Sequence, residues 1–149
     1  MHGVEDAATI AAVRAYVKLL RASHAVVART QPRLAEAGLT HTQLGVLEAI
    51  LHLGPLTQRD LTRKVLTSPG NLTDVIDKLT KRGLVERVPC KEDRRSVRVV
   101  LTGPGRAFIE ALFPDHARDI AAAMAGVAGA DLAELGRLLR LLGSADGGN

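Results

Sequence analysis

The chain has 149 residues, of which 46% are hydrophobic and 2% aromatic, and its formal net charge is +4. This length suits one domain or one subunit of an oligomer, and a core poor in aromatic residues favours helices over a large β-sandwich. A single cysteine, Cys90, excludes an intramolecular disulfide, and the longest uncharged, mainly apolar run, Ile120 to Ala130, is shorter than the ~20 residues that span a bilayer.

The first predicted element is a long helix over residues 7–30, where apolar residues recur at helical spacing. Basic residues interrupt this apolar stripe, which excludes a signal peptide, so we expect a soluble, cytoplasmic protein without a membrane partner. Pro32 and Gly38 allow the helix to break, although residues 33–37 are compatible with a further turn.

Two shorter helices are predicted next. Thr40 begins the second helix, because Gln lies three residues later and completes a capping box, and Gly54-Pro55 ends it. Thr57, with Asp at the same spacing, begins a short third helix that ends near Thr67. The residues predicted to face the core are Leu44, Leu47, Ile50, Leu51, Leu61, Val65 and Leu66.

The fourth helix, Pro69 to Arg82, carries the strongest pattern in the chain. Ser68 is a good N-cap, and proline suits the first helical position, where its missing N–H is no loss. Gly83 stands where a left-handed C-cap is expected. The apolar residues follow the i, i+3, i+4, i+7 rule, which predicts a buried face of Leu72, Val75, Ile76 and Leu79.

A β-hairpin and two helices complete the predicted order. Residues 84–88 and 96–101 have the character of short strands joined by a charged loop, and Pro89 suits a sheet edge. A long helical stretch follows Thr102, and Pro114 is expected to kink or interrupt it. The last helix, residues 131–142, carries Leu132, Leu135, Leu138, Leu139 and Leu142 at helical spacing.

Basic charge is concentrated in the middle of the chain. Residues 57–106 contain twelve Lys or Arg and six Asp or Glu, whereas the remaining residues carry a small net negative charge. Such a distribution is typical of a module that binds a polyanion, although a solvated surface also tolerates it.

A short helix, a turn and a well-capped second helix followed by a hairpin predict a winged helix-turn-helix, whose second helix enters the DNA major groove. Polar side chains there can read base edges or phosphates, and the predicted contacts are Ser68, Gly70, Asn71, Thr73, Asp74 and Lys78. At the hairpin tip, Arg94 and Arg95 suit a narrow minor groove, and Asp93 is placed to hold a guanidinium. The predicted fold is therefore mainly α, with a two-stranded antiparallel wing.

Residues 40–110 resemble the MarR family of winged helix-turn-helix transcriptional regulators. Residues 68–87, SPGNLTDVIDKLTKRGLVER, are similar to the family's recognition helix and its entry to the wing. The wing matches at Asp93-x-Arg95, then, after five residues, at Leu101-Thr102, Gly103 and Gly105. The order of elements from Arg14 to Leu142 also fits, although Gly103-Pro104-Gly105 departs from the commoner ending with a charged residue, Gly and Lys.

The resemblance implies a transcriptional regulator, most simply a repressor, that binds a pseudo-palindromic operator in double-stranded DNA as a homodimer. It implies one domain over residues 1–149, with the winged helix-turn-helix at about 40–106 and dimerisation helices at about 7–30 and 106–142. It also implies that Asp93 orients Arg95 in the minor groove. The apolar end helices point to a dimer independently, with an intrachain helix pair as the alternative.

Family members commonly bind phenolic or lipophilic effectors, and the candidate pocket residues here are Tyr16, Arg21, His24 and His41, which helix packing explains equally well. Cys90 is a candidate redox sensor because Lys91 and Arg87 favour its thiolate, but an ordinary thiol in a strand is the simpler interpretation. The histidines lack metal-ligand spacing, and there is no phosphate loop or cysteine–base pattern. We therefore expect no metal, no cofactor and no enzyme activity.

The alternative function is a protein–protein adaptor that uses the winged fold without binding DNA. In that case the polar helix face is merely solvated, and the charged tip serves to block strand pairing at the sheet edge. An adaptor has no need of an arginine held beside an acidic residue, so the hairpin tip favours DNA binding.

Overall fold

The computed structural model describes residues 6–65, 67–93 and 95–144, together with Gly3. Within them, the elements are α1 (Ala7–Glu36), α2 (His41–Leu53), β1 (Leu56–Thr57), α3 (Gln58–Val65), α4 (Pro69–Lys81), β2 (Val85–Pro89), β3 (Val97–Leu101), α5 (Gly103–Ala123) and α6 (Gly129–Ser144). This order confirms the predicted mainly α winged helix-turn-helix. Leu66 and Arg94, to which the sequence assigned roles, lie outside the described residues.

The chain divides into two compact units. The winged-helix unit comprises Thr30–Ala117, and the terminal unit comprises the segments up to Arg29 and from Arg118. The first contains α2 to α4, the sheet and parts of α1 and α5, and the second contains α6 with the remaining parts of those two helices.

The helix starts in the winged-helix unit follow their capping residues. The Thr40 hydroxyl accepts from the Gln43 backbone N–H at 3.1 Å, and the Gln43 side chain accepts from the Thr40 N–H at 2.9 Å, which confirms the capping box. Ser68 accepts from the Asn71 N–H at 3.2 Å, with Pro69 in the first turn of α4. Since each cap satisfies an amide that the helix leaves unpaired, both helices begin where the sequence predicts.

Two prolines lie inside helices; the further turn over residues 33–37 is confirmed, and a kink at Pro114 stays a prediction. Pro32 lies inside α1, which continues to Glu36, and Pro114 lies inside α5 without ending it. In α1, Thr30 and Leu34 flank the proline and are both buried, at 3% and 0% exposure. Packing of these neighbours offsets the lost backbone hydrogen bond, so tertiary contacts override the local helix-breaking tendency.

The described strands form an antiparallel sheet in the order β1-β3-β2. The predicted hairpin is β2 and β3, in which Arg87 pairs with Val99 and Pro89 with Val97. β1 adds a third strand that the sequence did not predict, with Thr57 opposite Arg98. The Thr57 hydroxyl also accepts from the Asp60 N–H at 3.1 Å, so one residue both pairs in the sheet and caps α3.

One hydrophobic core fills the winged-helix unit. The predicted face of α4 is buried throughout, and Leu47, Leu61 and Ile109 are fully buried beside it.

At the start of α5, the Thr102 N–H donates to the Leu84 carbonyl at 3.1 Å, and the Thr102 hydroxyl accepts from the Gly105 N–H at 2.9 Å. A Cβ on Gly105 would overlap the Leu84 carbonyl oxygen. Because Gly105 has no side chain, the first turn of α5 can pack directly against Leu84, which lies between α4 and β2. The Leu-Thr-x-x-Gly spacing places Thr102 and Gly105 for this contact.

The terminal unit leaves many apolar side chains in contact with solvent. Its exposed large hydrophobic residues are Val13, Tyr16, Val17, Leu19, Leu20, Val27, Ile120, Leu132, Leu138, Leu139, Leu141 and Leu142. Residues of α1 and α6 line an apolar groove of about 700 Å³, with Tyr16, Leu19, Leu138 and Leu142 among its walls. None of the helices in the described part of the chain is long and apolar enough to span a membrane.

Candidate DNA-binding surface

The front of α4 presents a polar surface. The six residues predicted to contact DNA are all exposed and lie opposite the buried apolar face of the helix, and they are Ser68, Gly70, Asn71, Thr73, Asp74 and Lys78. Gly70 has open space where a Cβ would stand, so the backbone of the first turn is accessible. The structure therefore places these residues on the exposed side of one helix, from its N-cap Ser68 to Lys78 in its last turn.

Hydrogen bonds and ion pairs at α4 determine which donors and acceptors each side chain keeps free for a further partner. The Asn71 amide donates to the Thr67 hydroxyl at 2.7 Å, which leaves its oxygen and its second N–H. The Thr73 hydroxyl donates its only hydrogen to the Pro69 carbonyl at 3.1 Å, so it can only accept from a further partner. Asp74 and Lys78 form an exposed ion pair at 3.0 Å, one helical turn apart.

The wing tip is held by its own backbone. The Asp93 carboxylate accepts from the Arg95 backbone N–H at 3.0 Å, and the Asp93 carbonyl accepts from the Ser96 N–H at 3.0 Å. The Asp93 carboxylate therefore holds the turn that carries Arg95, because an aspartate readily bonds the backbone two residues on. That Asp93 also holds a guanidinium stays a prediction. Arg95 itself is exposed.

Two arginines that the sequence did not single out lie beside α4. Arg59 and Arg63 are exposed and one turn apart on α3, and with Gln58, Pro69 and Thr73 they line a concavity of about 390 Å³. Among the described residues, neither arginine has an ion-pair partner. Arg59 and Arg63 are four residues apart on the side of α3 opposite the buried Leu61, and this spacing is the sequence pattern that would have identified them.

The end of α4 is anchored by Arg82. Its guanidinium donates to the Gly38 carbonyl at 2.9 Å and the Ala37 carbonyl at 3.1 Å, and it lies 5.3 Å from the Phe108 ring centroid. Gly38, with φ of +67°, is the left-handed residue that ends α1. The recognition helix is thus tied to the α1–α2 connection and to α5 as well as to its own core.

The candidate effector residues occupy different environments in their own units. In the terminal unit, Tyr16 is 59% exposed on the apolar groove, while Arg21 and His24 are exposed elsewhere along α1. In the winged-helix unit, a ring nitrogen of His41 lies 3.1 Å from the Thr30 hydroxyl. Cys90 is half-buried, and its backbone N–H donates to the Ser96 carbonyl at 2.8 Å.

A buried acid–histidine contact lies behind the surface, between α2 and α5. Glu48 Oε1 is 3.9 Å from Nε2 of the buried His116, which is longer than a hydrogen bond. Burial raises the pKa of the Glu48 carboxyl above its ordinary value, and the charge of His52 acts in the opposite direction. Within residues 6–65, 67–93 and 95–144, no three His, Cys, Asp or Glu side chains cluster as metal ligands do.

Residues 39–97 match the model of the MarR family. The chain is 34% identical to the HTH-type transcriptional regulator YkoM of Bacillus subtilis over 108 residues, which cover 72% of this chain and 70% of YkoM. It is 30% identical to the HTH-type transcriptional regulator MhqR of the same organism, covering 72% and 74% of the two chains. The structure superposes on BpsR of Bordetella bronchiseptica, whose DNA binding is regulated by 6-hydroxynicotinic acid, with a TM-score of 0.78, 26% identity and 96% of each chain covered. The chain belongs to the MarR family.

Proposed function

We propose that the protein is a sequence-specific transcriptional repressor that binds double-stranded DNA as a homodimer. The observation that carries this proposal is the pairing of an exposed polar helix front with an arginine-bearing wing tip on the same well-packed unit. Both features lie in the most basic part of the chain. The names of its relatives, which are transcriptional regulators, support the same function.

In the proposed complex, α4 lies in the major groove. Asn71 keeps an acceptor and a donor free, which is the combination that pairs with the N6 and N7 edge of adenine. Thr73, as an acceptor only, suits an amino group of adenine or cytosine. Lys78 can exchange its partner Asp74 for a phosphate, which leaves Asp74 to accept from cytosine.

The DNA backbone is proposed to follow the cationic side of α3. Arg59 and Arg63 have no ion-pair partner among the described residues, so a phosphate displaces no existing bond there. In helix-turn-helix proteins the first helix of the motif crosses the backbone, which is the position that α3 would take. The wing then carries Arg95 into the adjacent minor groove, where the negative potential is strongest. Arg94 is predicted to act beside it but lies outside the described residues.

A second copy of this chain is the proposed occupant of the apolar surface of the terminal unit. Exposed leucines and valines on α1 and α6 exceed what an isolated soluble unit normally shows in one place. Pairing of these helices across a two-fold axis would bury them and duplicate the DNA-binding surface. The operator is then pseudo-palindromic, with half-sites about one helical turn, roughly 34 Å, apart.

We further propose that a small molecule releases the repressor from DNA and that the protein carries out no catalysis. The regulation of BpsR by 6-hydroxynicotinic acid supports a small aromatic acid as the first class to test. Tyr16, Arg21, His24 and His41 stay the predicted effector residues. Oxidation of Cys90 stays the predicted alternative trigger, and loss of its effect in Cys90→Ser would identify it.

The decisive experiment measures affinity for DNA as a function of salt. A duplex is selected by the purified protein from a random-sequence library and compared with a scrambled duplex of equal composition. We expect tight binding of the selected duplex only and a steep, linear fall of log K with log salt, because phosphate contacts release counterions. Equal binding of both duplexes, or none, would reject sequence-specific recognition and favour the adaptor.

Arg95→Ala is expected to weaken binding of the selected duplex while the protein stays folded and dimeric, because the side chain is exposed and makes no described side-chain contact. Gel-filtration and circular dichroism serve as controls. Unchanged affinity would remove the wing from the proposed interface.

Asn71→Ala is expected to relax preference at one base pair in each half-site, by roughly 1–3 kcal/mol if the contact is bidentate. Repeating the selection with the variant reads this directly. An unchanged consensus would limit the Asn71 side chain to its hydrogen bond with Thr67.

A further inference from the structure

Four side chains join the recognition helix to the wing through α3. The Arg87 guanidinium, on β2, donates from a terminal nitrogen to Asp77 Oδ1 at 2.7 Å and from Nε to the Gln58 side-chain oxygen at 3.3 Å. Gln58, at the start of α3, donates its amide hydrogen to the Thr73 hydroxyl at 3.2 Å. The chain of contacts therefore runs from Asp77 through Arg87 and Gln58 to Thr73.

Both ends of this chain of contacts lie on α4, one helical turn apart. Thr73 and Asp77 are at i and i+4, so their side chains leave the same face of the helix. Two attachments on one face, one turn apart, act together with the packed apolar face of α4 to fix the rotation and the tilt of the helix. The Arg87 side chain is 30% exposed and that of Asp77 50% exposed, so the contacts lie at the margin of the DNA-facing surface rather than in the core.

We propose that Arg87 is a positioning residue for DNA recognition. It sets the rotation of α4 relative to the wing, so that α4 can enter the major groove while the wing enters the adjacent minor groove. The inference rests on the proposed DNA-binding function. β2 leads directly into the wing tip, so a bond from β2 to α4 links the base-reading helix to Arg95. The planar guanidinium fork fixes this geometry in a way that a lysine, with one flexible ammonium, does not.

The same contacts separate Arg87 from the phosphate-binding arginines. Its charge is already matched by Asp77, and two of its donor groups are committed. Arg59 and Arg63, by contrast, face solvent with no ion-pair partner in the described part of the chain. A residue that positions the helix changes specific affinity without changing the number of phosphates neutralised, whereas loss of a phosphate contact lowers the salt slope by about one.

The test uses the full-length dimer and the selected and scrambled duplexes described above, at several salt concentrations. We expect Arg87→Gln to lower affinity for the selected duplex by about tenfold or more, the cost of roughly one mismatched base pair. Affinity for the scrambled duplex and the salt slope should change little. Arg63→Gln is the matched control: it should weaken binding of both duplexes alike and reduce the slope by about one.

Arg87→Lys keeps the positive charge and is the second test variant, to be used if Arg87→Gln does not fold. We expect it to lose most of the same specificity, because a single ammonium does not reproduce the two separate nitrogens with which Arg87 holds Gln58 and Asp77. Asp77→Asn combined with Arg87→Gln should cost little more than Arg87→Gln alone, since both changes break one link.

Three results would overturn the proposal: Arg87→Gln behaving as Arg63→Gln does, Arg87→Lys retaining full specificity, or fully additive losses in the double variant. Wild-type protein that fails to prefer its selected duplex would instead reject the proposed function itself. The two failures are therefore distinguishable in one set of titrations.

Discussion

The winged-helix unit and the terminal unit use similar apolar residues in opposite ways. In the first, fifteen hydrophobic side chains form one buried cluster around α2 and α4. In the second, only Ala123 is a buried hydrophobic residue among those described, while twelve large apolar side chains remain exposed. One unit thus completes its core within a single chain, and the other exposes an apolar surface that the proposed second copy would cover.

This contrast predicts that the two units fail in different ways when they are mutated. Damage to the winged-helix unit should appear as lost folding stability, independent of protein concentration. Damage to the terminal unit should appear as a change in association, because in the proposed homodimer its apolar residues are buried by the second copy.

The largest expected effect is that of Gly105→Ala. The new methyl group would overlap the Leu84 carbonyl, a backbone atom that cannot move without displacing β2 or α5. We expect a loss of at least ~3 kcal/mol in the free energy of unfolding, measured by chemical denaturation. Gly103→Ala, with open space around its new Cβ, is the matched control and should be close to neutral. Equal free energies of unfolding for the two variants would contradict the close contact between Gly105 and the Leu84 carbonyl.

Leu138→Glu tests the terminal unit. Leu138 is 44% exposed and lines the apolar groove, so a charge costs little in one chain but much in a dimer interface. We expect the dimer dissociation constant to rise at least ~100-fold in analytical ultracentrifugation. Arg137→Gln, beside it on α6 and paired with Glu134 on the solvent side, should leave the dimer intact. A Leu138→Glu protein that remains dimeric would place the interface elsewhere.

The smallest expected effect is a change in pH dependence. Because burial raises the folded-state pKa of Glu48 above its ordinary value of 4.5, its contribution is fully present below that value and is lost as pH rises through the raised pKa. Glu48→Gln should therefore match the wild type near pH 4 and unfold at a higher denaturant concentration than the wild type at pH 8. The exposed Glu110→Gln corrects for net charge. Equal gains at both pH values would exclude burial as the cause.

The sequence predicted what local chemistry determines. Ser68 and Pro69 located the start of α4, the spacing from Leu72 to Leu79 identified its buried face, and Gly83 stands in the left-handed conformation expected of it. These features depend on residues within a few positions of one another, so a single sequence contains them in full.

What the sequence missed depends on distant partners. β1 has two residues and no periodicity, and it is a strand only because β3, some forty residues later, pairs with it. The bond from Gln58 to Arg87 joins residues 29 positions apart.

The edges of the small sheet limit how copies of the protein can meet. One edge is β1, which is too short to template another strand, and the other is β2, which ends in Pro89, a residue without an amide hydrogen to offer. Neither edge strand is suited to pairing with a strand of another copy of the protein. High local concentrations on DNA should therefore leave the wings separate, and each remains available to its own stretch of groove.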